Sequence, residues 1–122
     1  MAFPGDVYAA DCSARDALAL VAGKWSLLIL PALAERPLRN GELLRRIGGI
    51  SQKVLTQTLR ELERNGLIAR KVLPTSPVAV EYSITELGRT LQVPFGAMYD
   101  WAIRHLHEIE EAQGAYDRRA ER

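Results

Sequence analysis

Residues 51–66, Ser-Gln-Lys-Val-Leu-Thr-Gln-Thr-Leu-Arg-Glu-Leu-Glu-Arg-Asn-Gly, constrain the fold more than any other stretch. Ser51 carries the hydroxyl of a helix N-cap, able to accept from a first-turn N–H that has no intrahelical partner. Leu55, Thr58, Leu59 and Leu62 recur at i, i+3, i+4 and i+7, which is one stripe of a helix. Asn65-Gly66 ends it, because glycine takes the left-handed C′ conformation without a steric cost. A second face holds Gln52, Lys53, Thr56, Gln57 and Arg60. Those are amide, hydroxyl and cationic groups with no carboxylate among them, a set suited to base edges and phosphates.

Beyond Gly66 the apolar period falls from 3.6 to 2. Residues 67–73 and 78–84 read as strands, with Ile68, Arg70 and Val72 on one face, Ala69 and Lys71 on the other, and residues 74–77 as the loop. Upstream, residues 1–10 hold Pro and Gly without helical period and read as an extended arm from which Phe3, Val7 and Tyr8 can pack. Ser13 and Asp16 have capping-box spacing and start a first helix over about 14–22. A second, apolar on most sides, spans about 24–34 and contains Pro31, which should kink or shorten it. A short strand at Leu38-Arg39 precedes a third helix over 41–47 capped by Asn40, and Gly48-Gly49-Ile50 turns into Ser51. Downstream, Thr85-Glu86 caps a helix that Gly88 and Pro94 interrupt. Pro94 opens a final helix to about Gln113, with Phe95, Met98, Ala102, Leu106 and Ile109 at helical spacing, widened by Tyr99 and Trp101. Residues 114–122 are polar and read as a frayed tail.

With 122 residues, 48% of them hydrophobic, the chain can bury the core of one domain. The longest near-apolar run, Trp25 to Ala34, is too short to cross a bilayer, and no signal-peptide pattern opens the sequence, so no membrane partner is expected. A single cysteine excludes an internal disulfide and fits a reducing cytoplasm. The formal charge of +1 conceals a division. Arg36 to Lys71 holds nine cations against three anions, a local +6, and the remainder holds seven against twelve, or −5. A basic centre between acidic ends suggests a polyanion site.

Three helices followed by a hairpin make a mainly α fold with a small β-hairpin, a winged helix-turn-helix in one domain. Its parts are the arm (1–12), core and dimer helices (13–35), the helix-turn-helix (38–66), the wing (67–84), C-terminal helices (85–113) and the tail (114–122). In this arrangement the second helix of the pair enters the major groove of double-stranded DNA with its N-terminal residues towards base edges. Gln52 and Gln57 can pair bidentately with adenine, Lys53 with guanine, and the Thr56 methyl with thymine. Arg39, Arg60 and Lys71, with Arg45 and Arg46, suit phosphates, and the N–H groups at Ser51 add an anion site.

The sequence also resembles the HxlR-type regulators, bacterial winged-helix repressors and activators related to the MarR group. The resemblance is carried by Gly23-Lys24-Trp25 with residues 26–30, by Gly49 to Thr56, by Leu59-Arg-Glu-Leu62, by Gly66 to Arg70, by Val80 to Gly88, and by Trp101. It implies a homodimer on an inverted repeat, joined through the first and last helices, that controls nearby genes. The final helix supports dimerisation independently, since its apolar surface is broader than one side of a small domain needs. Three departures stand out, one of them Pro31 in the second helix. The family usually has Phe where this chain has Asn40, and a cation where the wing has Ala79, which leaves Thr75, Ser76 and Lys71 as the wing's polar candidates.

Cys12 is the one reactive candidate. Members of the resembled family often have a cysteine here, in some of them a sensor of oxidants or electrophiles, and a helix N-terminus favours negative charge. The alternative is a small residue filling a dimer interface. Phe95, Met98 and Trp101 suit core or dimer packing better than a small-molecule effector pocket. His105 and His107 point to different sides of a helix and cannot share a metal, and no cofactor motif is present. With no nucleophile or acid–base constellation, an enzyme is not expected. The competing function is a winged-helix module that binds proteins and no DNA.

Overall fold

A computed structural model of the chain describes residues 6–121. Phe3, assigned to the arm, and Arg122 of the tail lie outside them. The chain forms two compact units, one running to Thr90 and the other from Leu91.

The first unit contains α1 (Ser13–Val21), α2 (Ser26–Glu35), β1 (Leu38–Arg39), α3 (Asn40–Arg46), α4 (Gln52–Arg64), β2 (Ile68–Leu73), β3 (Ala79–Ile84) and the single turn α5 (Glu86–Arg89). Its core is built where apolar residues of α2, α3 and α4 meet the base of the hairpin. Ile29, Leu30, Leu33, Leu43, Leu55, Leu59 and Leu62 are almost wholly removed from water, with Ile47, Ile50, Leu67 and Ile68 beside them. The three strands form one antiparallel sheet in the order β1-β3-β2. The short strand at Leu38 is therefore not an isolated bridge, since it pairs with Tyr82 and Glu81 on the open edge of the hairpin.

Several local features differ from the sequence reading. Asp6 to Cys12 is not extended: Asp6 accepts from the Tyr8 N–H through Oδ1 at 3.0 Å, and two backbone turns follow, Ala9 to Asp6 and Cys12 to Ala9. Tyr8 is exposed. Ser13 is the first residue of α1 and not its cap; Cys12 takes the cap position, without a side-chain bond. Pro31 lies inside α2, which continues to Glu35, because burial of Ile29, Leu30, Ala32 and Leu33 on both sides of it holds the helix together. Asn40 is likewise the first residue of α3 and not its cap. Glu42 sits three residues after Arg39 and takes the Arg39 N–H at 3.0 Å, and Arg39, having no acceptor, cannot reciprocate. On β2 only Ile68 of the expected apolar face is buried; Arg70 and Val72 are exposed.

The end of α4 follows its sequence closely. Gly66 has φ +77, its N–H donates to Glu63, and the Leu67 N–H donates to Leu62 at 3.0 Å. This double closure, with Leu62 and Leu67 both buried, turns the chain directly into β2. Thr85 locks the same junction from the other side. Its hydroxyl donates to the Gly66 carbonyl at 2.6 Å and accepts from the Gly88 N–H at 3.1 Å, and its N–H donates to the Leu67 carbonyl at 3.1 Å.

The second unit is α6 (Gln92–Ala120), 29 residues with Pro94 in its first turn. At 1.5 Å per residue it is roughly 44 Å long. It continues well past the expected end at Gln113. Arg118 and Arg119 in its last turn suit the negative end of the helix dipole, and Arg119 lies over the Tyr116 ring at 6.0 Å. Phe95 is its buried residue, whereas Val93, Met98, Trp101, Ile103, Leu106 and Tyr116 are exposed. No described helix is by itself long and apolar enough to cross a membrane.

Gly88 is the most closely approached glycine among the described residues. A Cβ there would run into the Leu67 carbonyl oxygen and lie 2.7 Å from Ile84 Cγ1, whereas one at Gly48 would meet nothing within 4 Å. Gly88→Ala should destabilise the chain by about 1–3 kcal/mol, with Gly48→Ala within about 0.5 kcal/mol of the parent. Urea unfolding midpoints compare the two, and equal midpoints would contradict the close approach.

Candidate nucleic-acid interface

Burial of Leu55, Leu59 and Leu62 determines which side of α4 is wet. Gln52, Lys53, Gln57 and Arg60 are exposed and Thr56 is half-buried. The first nine residues of the helix, Gln52 to Arg60, contain no carboxylate. Ser51 Oγ accepts from the Val54 N–H at 3.1 Å. That leaves the N–H groups of Gln52 and Lys53 at the positive end of the helix dipole without an intrahelical acceptor.

Gln52 is not a free side chain. Its Nε2 donates to Asn40 Oδ1 at 3.0 Å and to Thr56 Oγ1 at 3.0 Å, and its Oε1 accepts from Asn40 Nδ2 at 2.8 Å. The first residues of α3 and α4 are thus joined by a reciprocal amide pair across the turn. Asn40, expected as the cap of the third helix, pairs with Gln52 instead. The signal was available: a helix whose third residue, Glu42, returns to the cap N–H must be capped by Arg39, which leaves the Asn40 amide for another partner.

The carboxylates of the basic segment are all occupied. Glu42 meets Arg36 at 3.1 Å, Glu61 meets Arg64 at 4.0 Å, and Glu63 meets Arg70 at 3.8 Å. Arg46 lies 4.0 Å from Glu35, just outside the segment. Of its nine cations, Arg39, Arg45, Lys53, Arg60 and Lys71 have no ion-pair partner among the described residues. Arg39 and Lys71 are both registered opposite Glu81, on β1 and β2 respectively, so the three form one row on one face of the sheet. Arg36, Arg45 and Arg46 share a hollow of about 370 Å³ with Glu35 and Glu42. A second hollow, about 260 Å³ and mostly apolar, lies between α1, α2 and α4 beside Leu20, Trp25, Gln57 and Thr58.

Thr75 and Ser76 are exposed at the tip of the hairpin. The Thr75 hydroxyl donates to the Pro77 carbonyl at 2.7 Å. Lys71 lies on β2, two residues before its end at Leu73. The structure therefore links Arg39, Gln52, Thr56 and Lys71 through Asn40 and the sheet, with Lys53, Gln57 and Arg60 on the same helix. Cys12 takes no part in this network. It is a half-exposed free thiol, and Arg15, its neighbour in sequence, donates to the Tyr8 carbonyl at 2.9 Å instead. On α6, His105 contacts Glu108 and His107 contacts Glu111, and no metal-binding cluster is found among the described residues.

Comparison with known proteins gives one consistent answer. Residues 20–110 match the family described as HxlR-like helix-turn-helix. The HTH-type transcriptional regulator YtfH of Escherichia coli is 40% identical over 105 residues, covering 86% of this chain and 83% of the relative. Among solved structures, the transcriptional regulator YtfH of Salmonella typhimurium superposes with a TM-score of 0.82 at 35% identity, covering 91% of this chain and 99% of the other. The reduced transcriptional regulator YodB of Bacillus subtilis gives 0.66 at 41% identity over 75% and 90% of the two chains, and YodB has also been solved after diamide treatment.

Glu42 ties the start of α3 to its surroundings and carries a pH dependence. The Arg39 N–H, then the Arg36 guanidinium, hold its carboxyl below its ordinary 4.5. A depressed carboxylate stabilises the fold fully above that ordinary value, and the contribution is lost as pH falls through the lower folded value. Glu42→Gln should therefore lower the thermal midpoint at neutral pH, with the gap to the parent closing as pH drops below about 4.5. Melting curves from pH 7 to pH 3 test this; a gap independent of pH would contradict the ionic role.

Proposed function

The chain belongs to the HxlR-like helix-turn-helix family and is a transcriptional regulator, not an enzyme, and from that premise we propose that it works in the cytoplasm as a homodimer on an inverted repeat in double-stranded DNA. The observation that carries this reading is the wet face of α4: no carboxylate from Gln52 to Arg60, and two of the five unpaired cations, Lys53 and Arg60, on it. Lys53, Thr56 and Gln57, with Gln52, face base edges in the major groove. Arg39, Arg60 and Lys71 hold phosphates, the amide end of α4 at Ser51 receives another, and Thr75 and Ser76 approach the backbone from the wing.

The dimer reading is supported by α6 and α1. Trp101 and Ile103 on α6 are 58% and 76% exposed, Leu18 on α1 is 60% exposed, and α1 buries no residue. A long helix in water needs an apolar partner for such a surface. In a dimer on an inverted repeat the two α4 helices meet half-sites about one turn apart, ~34 Å. The hollow between α1, α2 and α4 is the place for a small apolar effector, since its wall includes Gln57 and Thr58 of the reading helix.

Titrating the purified chain onto its own upstream DNA at rising salt tests the main proposal. The expected result is two chains per palindrome and an affinity that falls steeply with salt, by about 0.9 log unit per log unit for each phosphate neutralised. Arg60→Ala should reduce that slope by about 1 and weaken all sequences alike. Gln57→Ala should relax preference at one base by about 1–3 kcal/mol. A flat salt response, or no binding to any palindrome, would favour the protein-interaction module.

Cys12 is proposed as an oxidant switch. Support comes from its half-exposed thiol at the α1 N-cap, on the surface assigned to the dimer, and from the relative YodB, solved both reduced and diamide-treated. Two Cys12 thiols of a dimer can join as a disulfide, passing two electrons and two protons to the oxidant. Diamide should release wild-type protein from DNA and leave Cys12→Ser bound; equal release of both would sink the idea.

A further inference from the structure

The reciprocal amide pair joins the first residues of α3 and α4. We propose that Asn40 is a positioning residue that sets base preference by holding Gln52 as a single-acceptor reader. This inference rests on the DNA-binding reading above.

A glutamine amide has two N–H donors and an oxygen with two lone pairs. In Gln52 both donors are used, one by Asn40 Oδ1 at 3.0 Å and one by Thr56 Oγ1 at 3.0 Å. The oxygen takes one hydrogen from Asn40 Nδ2 at 2.8 Å. What remains is one acceptor lone pair, on an exposed residue. Bidentate pairing with adenine needs a donor for N7 and an acceptor for N6–H, so it is closed to Gln52 while the pair stands. A lone acceptor instead suits a base with an exocyclic amino group in the major groove, either cytosine through N4 or adenine through N6. Guanine and thymine present O6, N7 or O4 there and meet the Gln52 oxygen as acceptor against acceptor. Asn40 thereby converts the first side chain of α4 from an adenine reader into one that separates amino from keto bases. Thr56, which accepts from Gln52, keeps its own hydroxyl hydrogen for a base or phosphate acceptor. The pair also fixes two side chains before DNA arrives, which lowers the ordering cost of the contact.

Selection of bound duplexes from a randomised operator pool, followed by competition with single-base variants, tests this on the full chain. The wild type should prefer adenine or cytosine over guanine or thymine at one position per half-site, by about fivefold or more. Asn40→Ala frees the Gln52 donor, so preference at that position should narrow to adenine. Asn40→Ser, whose shorter side chain does not reach Gln52 but suits a helix start, should give the same profile if Asn40→Ala fails to fold. Gln52→Ala should abolish preference there, and adding Asn40→Ala to it should change nothing more, because Asn40 acts through Gln52. A wild-type preference for guanine or thymine, an unchanged profile in Asn40→Ala or Asn40→Ser, or additive effects in the double variant would overturn the proposal. Sequence-preferring wild-type binding alongside such a result would leave the parent reading intact. Absence of wild-type binding would remove both.

Discussion

Leu55, Leu59 and Leu62 fix the rotation of α4 about its own axis, and which of its side chains meet solvent follows from that rotation. Each leucine is within 2% of full burial. Truncating a buried leucine to alanine typically costs about 2–5 kcal/mol. Exposed ion pairs such as Arg64–Glu61 and Arg70–Glu63 contribute about 0–1 kcal/mol each. The apolar stripe therefore decides which way α4 faces, and the charges only settle what remains. A turn of the helix by one residue would bury Thr56 and Arg60 in place of leucines, which no surface interaction could offset. Lys53, Gln57 and Arg60 are presented to solvent because of residues that never touch it.

The same logic explains how the charge is distributed. Glu61 and Glu63 lie in the last turn of α4, where they occupy Arg64 and Arg70. Glu42 is taken by Arg36 and by the start of α3. With the carboxylates engaged locally, the unpaired cations fall on the front of α4, on α3 and on the row that crosses the sheet at Glu81. A segment with a formal surplus of six becomes a smaller set of free cations in a defined place, which steers a polyanion more sharply than the composition alone would.

Much of this was legible in the sequence because it depends on near neighbours. The Ser51 cap, the leucine stripe and the Gly66 closure are each set within eight residues, and the structure reproduces all three. What the sequence concealed is set between elements or by a competition that local rules do not resolve. Asn40 has the composition of a cap, and only the spacing to Glu42 and a partner twelve residues away assign it elsewhere. Pro31 ought to break a helix, but burial of its neighbours outweighs the lost hydrogen bond. The polar run after Gln113 lacks apolar period and still continues as helix, since its arginines suit the helix end. The placement of Lys71 against Glu81 depends on strand register, which alternation suggests but does not number.

The wing and the reading helix are unequally equipped, and the imbalance has a structural basis. Ala79, at the position where the resembled family carries a cation, is half-buried and paired with Leu73 on β2, so it offers neither charge nor reach. The Thr75 hydroxyl already donates to Pro77, and its acceptor capacity is of little use against phosphate oxygens. Lys71, the nearest wing cation, shares its row with Glu81. On the DNA-binding reading, the wing then supplies position and little discrimination, and sequence choice concentrates in α4. Such concentration makes the orientation of each side chain on α4 matter more, and the first of them is held by Asn40 and Thr56. On the proposed DNA-binding reading, two of the departures from the resembled family, Ala79 in the wing and Asn40 at the start of α3, act in one direction: the first removes a reader, and the second sharpens one that remains.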